Sequence, residues 1–523
     1  MFYAKAMRDL PRDHSRQRLQ AFYQKSGAGL VFVRGRRRIG KTWLLEDLES
    51  ALGEGAFRIV CRKHTRDSAV LKEILVEWAR RSGRRELLEL RAAFLTWPRL
   101  FDDISAHAEA YKAATGRSFV LILDEIQWLS STYDDSAGLL KAAWDEWAKK
   151  DCLRVIACGS STKFFTEQFG EGSVIRGLHT EAEIRILPFP VSVIRRLLTS
   201  EWTIKETVLA YMCLGGVPYY WKQIAPEKGF RRAMNDACCT HSGIFRGEWK
   251  EILSTEFRTN AVGTLSRLFP ALITAEAGAT EAELTKELGL SNSYVGHMLE
   301  KLLLYGYVKK ALPASGGDCF VDAAIPGNER GARYWLSDFY LYFYFFVLRP
   351  IEHEIERNDK ALLFPSRILQ GDGRDYIQSF TGRAFERFVE HHIDVAMRDS
   401  EELRDGDQRC LPTLWRKLDI PDLNYEVCWN VLVRGESNDR IRSQIDVLVV
   451  HEMERRVRVL ECKWKGEGSA ADIEDVVGKI LPAKYSGYAR INVLVVSYEP
   501  TVLFLKKAME RGVVVVTLKD FID

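Results

Sequence analysis

Gly35-Arg36-Arg37-Arg38-Ile39-Gly40-Lys41-Thr42 has the spacing G-x-x-x-x-G-K-[ST]. Glycines let such a loop curl until successive backbone N–H groups face one point, and a helix starting at its end adds the positive end of its dipole. That cradle suits the phosphates of ATP, with Lys41 reaching the β- and γ-phosphates and the Thr42 hydroxyl on Mg²⁺. Further along, Phe119-Val-Leu-Ile-Leu-Asp-Glu125 reads as a buried strand ending in two carboxylates. Asp124 is placed to hold the Mg²⁺ directly or through water, and Glu125 to orient and activate an attacking water. The bland alternative is a surface acidic pair after a core strand; the upstream loop argues against it.

A second group of reactive residues lies near the carboxyl end. Asp446 stands in QIDVLVV, and fifteen residues later Glu461 and Lys463 stand in VRVLECKW. Side chains two apart on a strand share a face, so Glu461 and Lys463 project together, and a hairpin through HEMERR brings Asp446 to the same edge. Glu386, in the helical segment GRAFERFVEHH, supplies a third carboxylate. Carboxylates beside a lysine hold Mg²⁺, or Mn²⁺ as an alternative, while the ammonium positions or stabilises a hydroxide attacking phosphate. Charged groups inside core-like strands are costly unless paired or metal-bound, which lifts this E-x-K above an ordinary alternating strand. Secondary candidates are Gln444, Lys484 and Glu436. His391 and His392 read as capping or packing residues.

These residues need a scaffold of several domains. The chain has 523 residues and a formal net charge of +3, so nucleic-acid contact must come from local patches rather than from a basic protein as a whole. Ten scattered cysteines without C-x-x-C read as reduced, buried thiols of a cytoplasmic protein; Cys238, Cys239 and His241 lie together, but no fourth zinc ligand is evident. The most apolar stretch, Tyr340–Leu348, is too short for a bilayer, so no membrane partner is expected.

The pattern divides into an α/β multidomain chain. Residues 1–200 alternate β-rich runs with amphipathic helices and predict a parallel sheet carrying the phosphate loop. Residues 201–258 read as a helical lid. Residues 259–315 read as a winged helix-turn-helix, 316–370 as an aromatic-rich linker, and 371–523 as an αβββαβ unit. The second helix of the winged block presents Asn292, Ser293, Tyr294 and His297 for phosphate or base contact. Yet residues 259–313 hold five Lys/Arg against five Glu. That balance equally suits a structural or protein-contact role.

GRRRIGKT, LILDEIQWL, IACGSS and LGGVPYYW, in this order over roughly residues 20–225, resemble the prokaryotic AAA+/STAND-related ATPase family of archaea and bacteria. The resemblance implies ATP binding by Gly35–Thr42 and Asp124, hydrolysis by Glu125, and a γ-phosphate sensor at Ser160 with Ser161 beside it. Gly215, Gly216 and Pro218 match the lid motif, where they shape backbone. An arginine finger falls on Arg176, though His179 is nearer the family's spacing. RYWLSDFYLYFYFFVLRP resembles the family's linker to a carboxyl-terminal domain. Asp446, Glu461-x-Lys463 and Glu386 in an αβββαβ order resemble the PD-(D/E)xK nuclease superfamily, a restriction-endonuclease-like fold, over about residues 371–523. Together the resemblances imply an ATP-hydrolysing switch or motor coupled to a metal-dependent nuclease acting on DNA, with homo-oligomers or a protein partner through the winged helix. A defence or mobile-element role is the analogy such architectures carry. Two alternatives remain open: an idle nuclease fold that binds DNA or protein under ATPase control, and a signalling ATPase with a protein partner.

Overall fold

The computed structural model describes residues 12–62, 67–84, 96–129, 133–160, 182–198, 202–257, 259–275, 278–313, 320–322, 332–357, 362–369, 376–402, 412–420, 425–434 and 441–522. The chain divides into two compact units, Leu10–Leu187 and Pro188–Asp523.

The first unit is built on a five-stranded sheet in the order β2-β3-β4-β1-β5, all pairs parallel. Its strands are β1 (Gly29–Arg34), β2 (Ala56–Val60), β3 (Phe119–Asp124), β4 (Leu153–Gly159) and β5 (Ala182–Arg185). A parallel sheet covered on both faces needs near-continuous apolar strands. FVLILD and LRVIACG supply them, and every residue of β3 and β4 is buried. Trp78, Trp97, Phe101, Trp144 and Trp147 join the sheet's apolar side chains in one core. The carboxyl ends of β1, β3 and β4 are neighbours. The crevice beyond such ends is where open α/β sheets place their ligands, and the candidate residues of the first cluster come directly after these three strands.

The division between units falls at Leu187/Pro188. Backbone bonding explains its place. Phe189 N–H donates to the Gly216 carbonyl and the Tyr211 hydroxyl donates to the Phe189 carbonyl, so the chain joins the helices beyond residue 200 once past Pro188. Gly216 has to be glycine for that approach: a Cβ there would lie 1.9 Å from the Phe189 carbonyl oxygen.

In the second unit, helices Glu281–Leu288 and Asn292–Leu304 come after helix Thr259–Thr274, with a left-handed Gly289 ending the first of the pair. They accompany a small antiparallel sheet of order β6-β9-β7-β8, with β6 (Ala279–Thr280), β7 (Val308–Pro313), β8 (Phe320–Asp322) and β9 (Arg333–Leu336). The aromatic run Tyr340–Leu348 is buried apart from Phe346.

The carboxyl-terminal sheet has the order β10-β11-β12-β13-β14, antiparallel across its first two pairs and parallel across the last two. These are β10 (Glu426–Arg434), β11 (Ile441–His451), β12 (Arg456–Lys463), β13 (Ala489–Val496) and β14 (Val513–Thr517). The long helix Tyr376–Glu402 lies against β10, β11 and β12. Among the described residues, no helix is long and apolar enough to cross a membrane.

Candidate functional site

The loop after β1 folds back on its own lysine. Lys41 Nζ donates to the carbonyls of Gly35 (2.8 Å) and Arg36 (3.1 Å), and Gly40 holds φ at +95°, a region closed to most side chains. A Cβ on Gly35 would lie 2.6 Å from the Ile186 carbonyl oxygen. Arg38 also has positive φ, and Arg36, Arg37 and Arg38 are all partly exposed. Helix Lys41–Leu52 begins at the lysine, so its free N–H groups and dipole face the loop.

Asp124 is buried at the end of β3. Burial and the charge of Glu125 push its carboxyl above the ordinary range, while the Thr42 hydroxyl, the Arg58 guanidinium and the Cys158 thiol pull the other way. Hard oxygen donors from Thr42 and Asp124 beside a glycine cradle fit Mg²⁺ carried with a nucleotide.

Glu125 occupies left-handed backbone, φ +55°. Its Oε2 accepts from Ser160 N–H (3.2 Å), from the Ser160 hydroxyl (2.9 Å) and from Gln127 Nε2. Gln127 Nε2 also reaches Ser160 Oγ at 3.3 Å. The adjacency of β3 and β4 thus brings Glu125 and Ser160, thirty-five residues apart, into direct contact. Gln127 escapes sequence reasoning although it stands two residues after Glu125; only its burial betrays it. Arg58 escapes too. It projects from β2 to Glu49 (3.0 Å), Glu46 (3.2 Å) and Asp124 (3.4 Å), and a charge within the apolar run AFRIV is the available signal.

The second cluster assembles around β11 and β12. Their register pairs Val447 with Leu460, which sets Asp446 and Glu461 side by side one step further on. Asp446 Oδ2 accepts from Cys462 N–H at 2.8 Å. Burial and the neighbouring Glu461 push the Glu386 carboxyl up to about 7. Burial, Glu386 and Glu461 together push the Asp446 carboxyl well above its ordinary value. The three acids therefore share one electrostatic environment.

Glu461, 4 % exposed, has an ammonium on each oxygen: Lys463 Nζ at 2.8 Å from Oε1 and Lys479 Nζ at 2.8 Å from Oε2. Asp475 bridges the same two lysines, at 2.7 Å from Lys463 and 3.5 Å from Lys479. Burial disfavours both ammonium charges, yet the carboxylates outweigh it and raise both lysines. The donor chemistry suits a hard divalent cation. The side chains as they stand do not converge on one, since among the described residues no group of three His, Cys, Asp or Glu forms a metal-holding set. Lys479 and Asp475 are not legible in sequence beyond their i,i+4 spacing.

Other candidates fall elsewhere. Gln444 is exposed and donates to Asn430, and Lys484 pairs with Glu452 at 2.8 Å. His392 is fully buried, with Nε2 accepting from Val191 N–H (3.1 Å) and Nδ1–H donating to the Phe388 carbonyl (2.8 Å). Cys238 and Cys239 are buried free thiols, whereas His241 is exposed. Arg176, His179, Ser161 and Glu436 lie outside the described residues.

The parallel sheet, its glycine cradle and the carboxylates at its strand ends define a P-loop ATPase unit. Residues 11–144 match the family described as AAA ATPase domain. Among solved structures the chain is similar to the Walker-type ATPase of Pyrococcus abyssi, at 17 % identity and TM-score 0.47, covering 64 % of this chain and 95 % of that one. It is similar also to the ORC2 protein of Aeropyrum pernix in its ADPNP–ADP complexes, at 12 % identity and TM-score 0.35, covering 65 % and 90 %. A third similarity is to Cdc6p of Pyrobaculum aerophilum, at 14 % identity and TM-score 0.31, covering 66 % and 96 %. No curated protein matches the chain.

Proposed function

We propose that this protein is an ATP-hydrolysing switch or motor coupled to a metal-dependent nuclease acting on DNA. The observation that carries the nuclease half is the pairing of buried Asp446 and Glu461 on adjacent strands, with Lys463 Nζ 2.8 Å from Glu461 and the partly buried Glu386 near enough for its charge to be felt at Asp446. Sheet order and the preceding helix support a reading of residues 371–523 as a PD-(D/E)xK fold, and the β6–β9 block supports a winged helix. Glu386, Asp446 and Glu461 are the residues that would hold Mg²⁺ or Mn²⁺, which supplies charge stabilisation and an activated water when bound. Lys463 then positions the attacked phosphate or the attacking oxygen.

On the ATPase side, Gly35–Thr42 cradle the phosphates, Thr42 and Asp124 would hold Mg²⁺, and Glu125 takes the proton from water. Ser160 orients Glu125 or reports on the γ-phosphate. Arg176 is the proposed finger across a subunit interface.

Contact between the lid and the carboxyl-terminal domain supports coupling. Lys205, in helix Ile204–Leu214, donates to the Lys465 carbonyl (3.2 Å) and lies 5.2 Å from the centre of the Trp464 ring. Trp464 directly follows Lys463, so movement of the lid reaches the strand that carries Glu461 and Lys463.

The test is incubation of the full chain with plasmid and with linear single-stranded DNA in Mg²⁺ or Mn²⁺, beside Lys463→Ala. Cleavage by the unaltered protein alone supports the nuclease. ATP hydrolysis without any cleavage favours the second reading, a nuclease fold used for binding; the full pairing of Glu461 by lysines is the observation on that side.

A further inference from the structure

Glu461, Lys463, Asp475 and Lys479 form a closed ring of alternating charge. Its members differ in how firmly they are held. Lys463 sits two residues from Glu461 on the same strand and has Asp475 at 2.7 Å. Lys479 arrives from the residue just after helix Ala470–Gly478. Its second partner, Asp475, lies one turn back at 3.5 Å and is 43 % exposed. The ring therefore gives Lys479 a place to go. Moving toward Asp475 would free Glu461 Oε2 while keeping the ammonium paired.

We propose that Lys479 is the resident counter-cation of this site: it neutralises Glu461 when no metal is bound and must swing to Asp475 before Glu461 can act as a metal ligand. Three buried or partly buried carboxylates without a cation would repel one another, and this repulsion adds to burial in lifting Glu386 and Asp446. An ammonium on Oε2 relieves it. The charge of Lys479 is also felt at Asp446, so the lysine serves the acidic cluster as a whole. Displacing it breaks a close ion pair, and that loss is subtracted from whatever affinity the carboxylates offer a metal. This inference rests on the nuclease reading for the identity of the ligand.

Mn²⁺ binding to the full chain tests it, by calorimetric titration after chelator treatment, with the melting curve of each variant recorded in chelator to confirm folding. Asp124→Asn is included in every protein to silence the ATPase metal site. Lys479→Gln should tighten Mn²⁺ binding by roughly tenfold, because the competing ammonium is gone. Asp475→Asn should weaken it several-fold, since Lys479 loses its alternative partner. Glu461→Gln should abolish binding at this site. Equal or weaker binding in Lys479→Gln, with the parent binding Mn²⁺ in a Glu461-dependent way, overturns the role of Lys479 and leaves the nuclease reading standing. No Glu461-dependent binding in any variant overturns both.

Discussion

His392 makes acid a selective reagent against the second unit. Burial among Tyr211, Phe388 and Phe521 lowers its pKa from the ordinary 6.5 to about 4. The neutral ring is required in detail: Nδ1–H donates to the Phe388 carbonyl, so Nε2 is the lone-pair acceptor for Val191 N–H. Protonation removes that acceptor and places a charge in the core. A pKa depressed on folding gives stability that is complete above about 6.5 and is lost as pH falls toward 4. The unfolded chain takes up the proton first. A shift of this size corresponds to about 2 kcal/mol of lost stability between pH 7 and pH 5, taking 1.36 kcal/mol per pH unit with the onset near 6.5. The assay is thermal unfolding across pH 5–7 for the unaltered protein and His392→Gln. Subtracting one curve from the other cancels every titrating group common to both. The variant should be less stable at pH 7, and the gap should close toward pH 5. A gap constant with pH would refute the neutral, buried histidine.

Three further outcomes are expected from particular contacts. Gln127→Leu deletes a donor to Glu125 and should lower the ATP turnover number by roughly tenfold with nucleotide affinity unchanged, measured by phosphate release and nucleotide titration; an unchanged turnover number would show that Ser160 alone orients the glutamate. Arg58→Leu leaves Glu46, Glu49 and Asp124 without their common cation and should destabilise the ATPase unit by about 3 kcal/mol, read as a lower melting midpoint. Gly216→Ala forces a Cβ against backbone oxygen and should cost roughly 3 kcal/mol or more, whereas Gly215→Ala meets only the Phe339 side chain at 3.3 Å, with strain from its positive φ, and should be the milder of the two; similar melting curves for both would contradict the close approach.

How much of the fold and of the candidate site is legible in the sequence depends on whether neighbours in space are neighbours along the chain. Lys41, Thr42, Asp124 and Glu125 lie in contiguous motifs, and β1, β3 and β4 announce themselves as apolar runs. The β11–β12 pair can be anticipated because a short hairpin joins Asp446 to Glu461. Gln127 stands close enough to Glu125 to be suspected, but its value lies in touching both Glu125 and Ser160, which depends on β3 lying beside β4. Lys479 has no such signal: it comes from the end of a helix beyond β12, and its partner Glu461 is eighteen residues away. Lys484 looks as plausible in sequence and instead pairs with Glu452. The unit boundary is hidden because helix Val191–Leu197 continues the α/β rhythm, while the bonds of Phe189 to Tyr211 and Gly216 tie the chain just before that helix to helix Ile204–Leu214 and the turn after it.

The coupling of ATP turnover to phosphodiester cleavage is tested most directly by one rate. DNA cleavage in Mg²⁺ is measured with and without ATP for the unaltered chain, Lys41→Ala and Lys463→Ala. A coupled nuclease predicts ATP-dependent cleavage by the unaltered chain, loss of the ATP effect in Lys41→Ala, and no cleavage by Lys463→Ala. Cleavage by Lys463→Ala at the unaltered rate would contradict it.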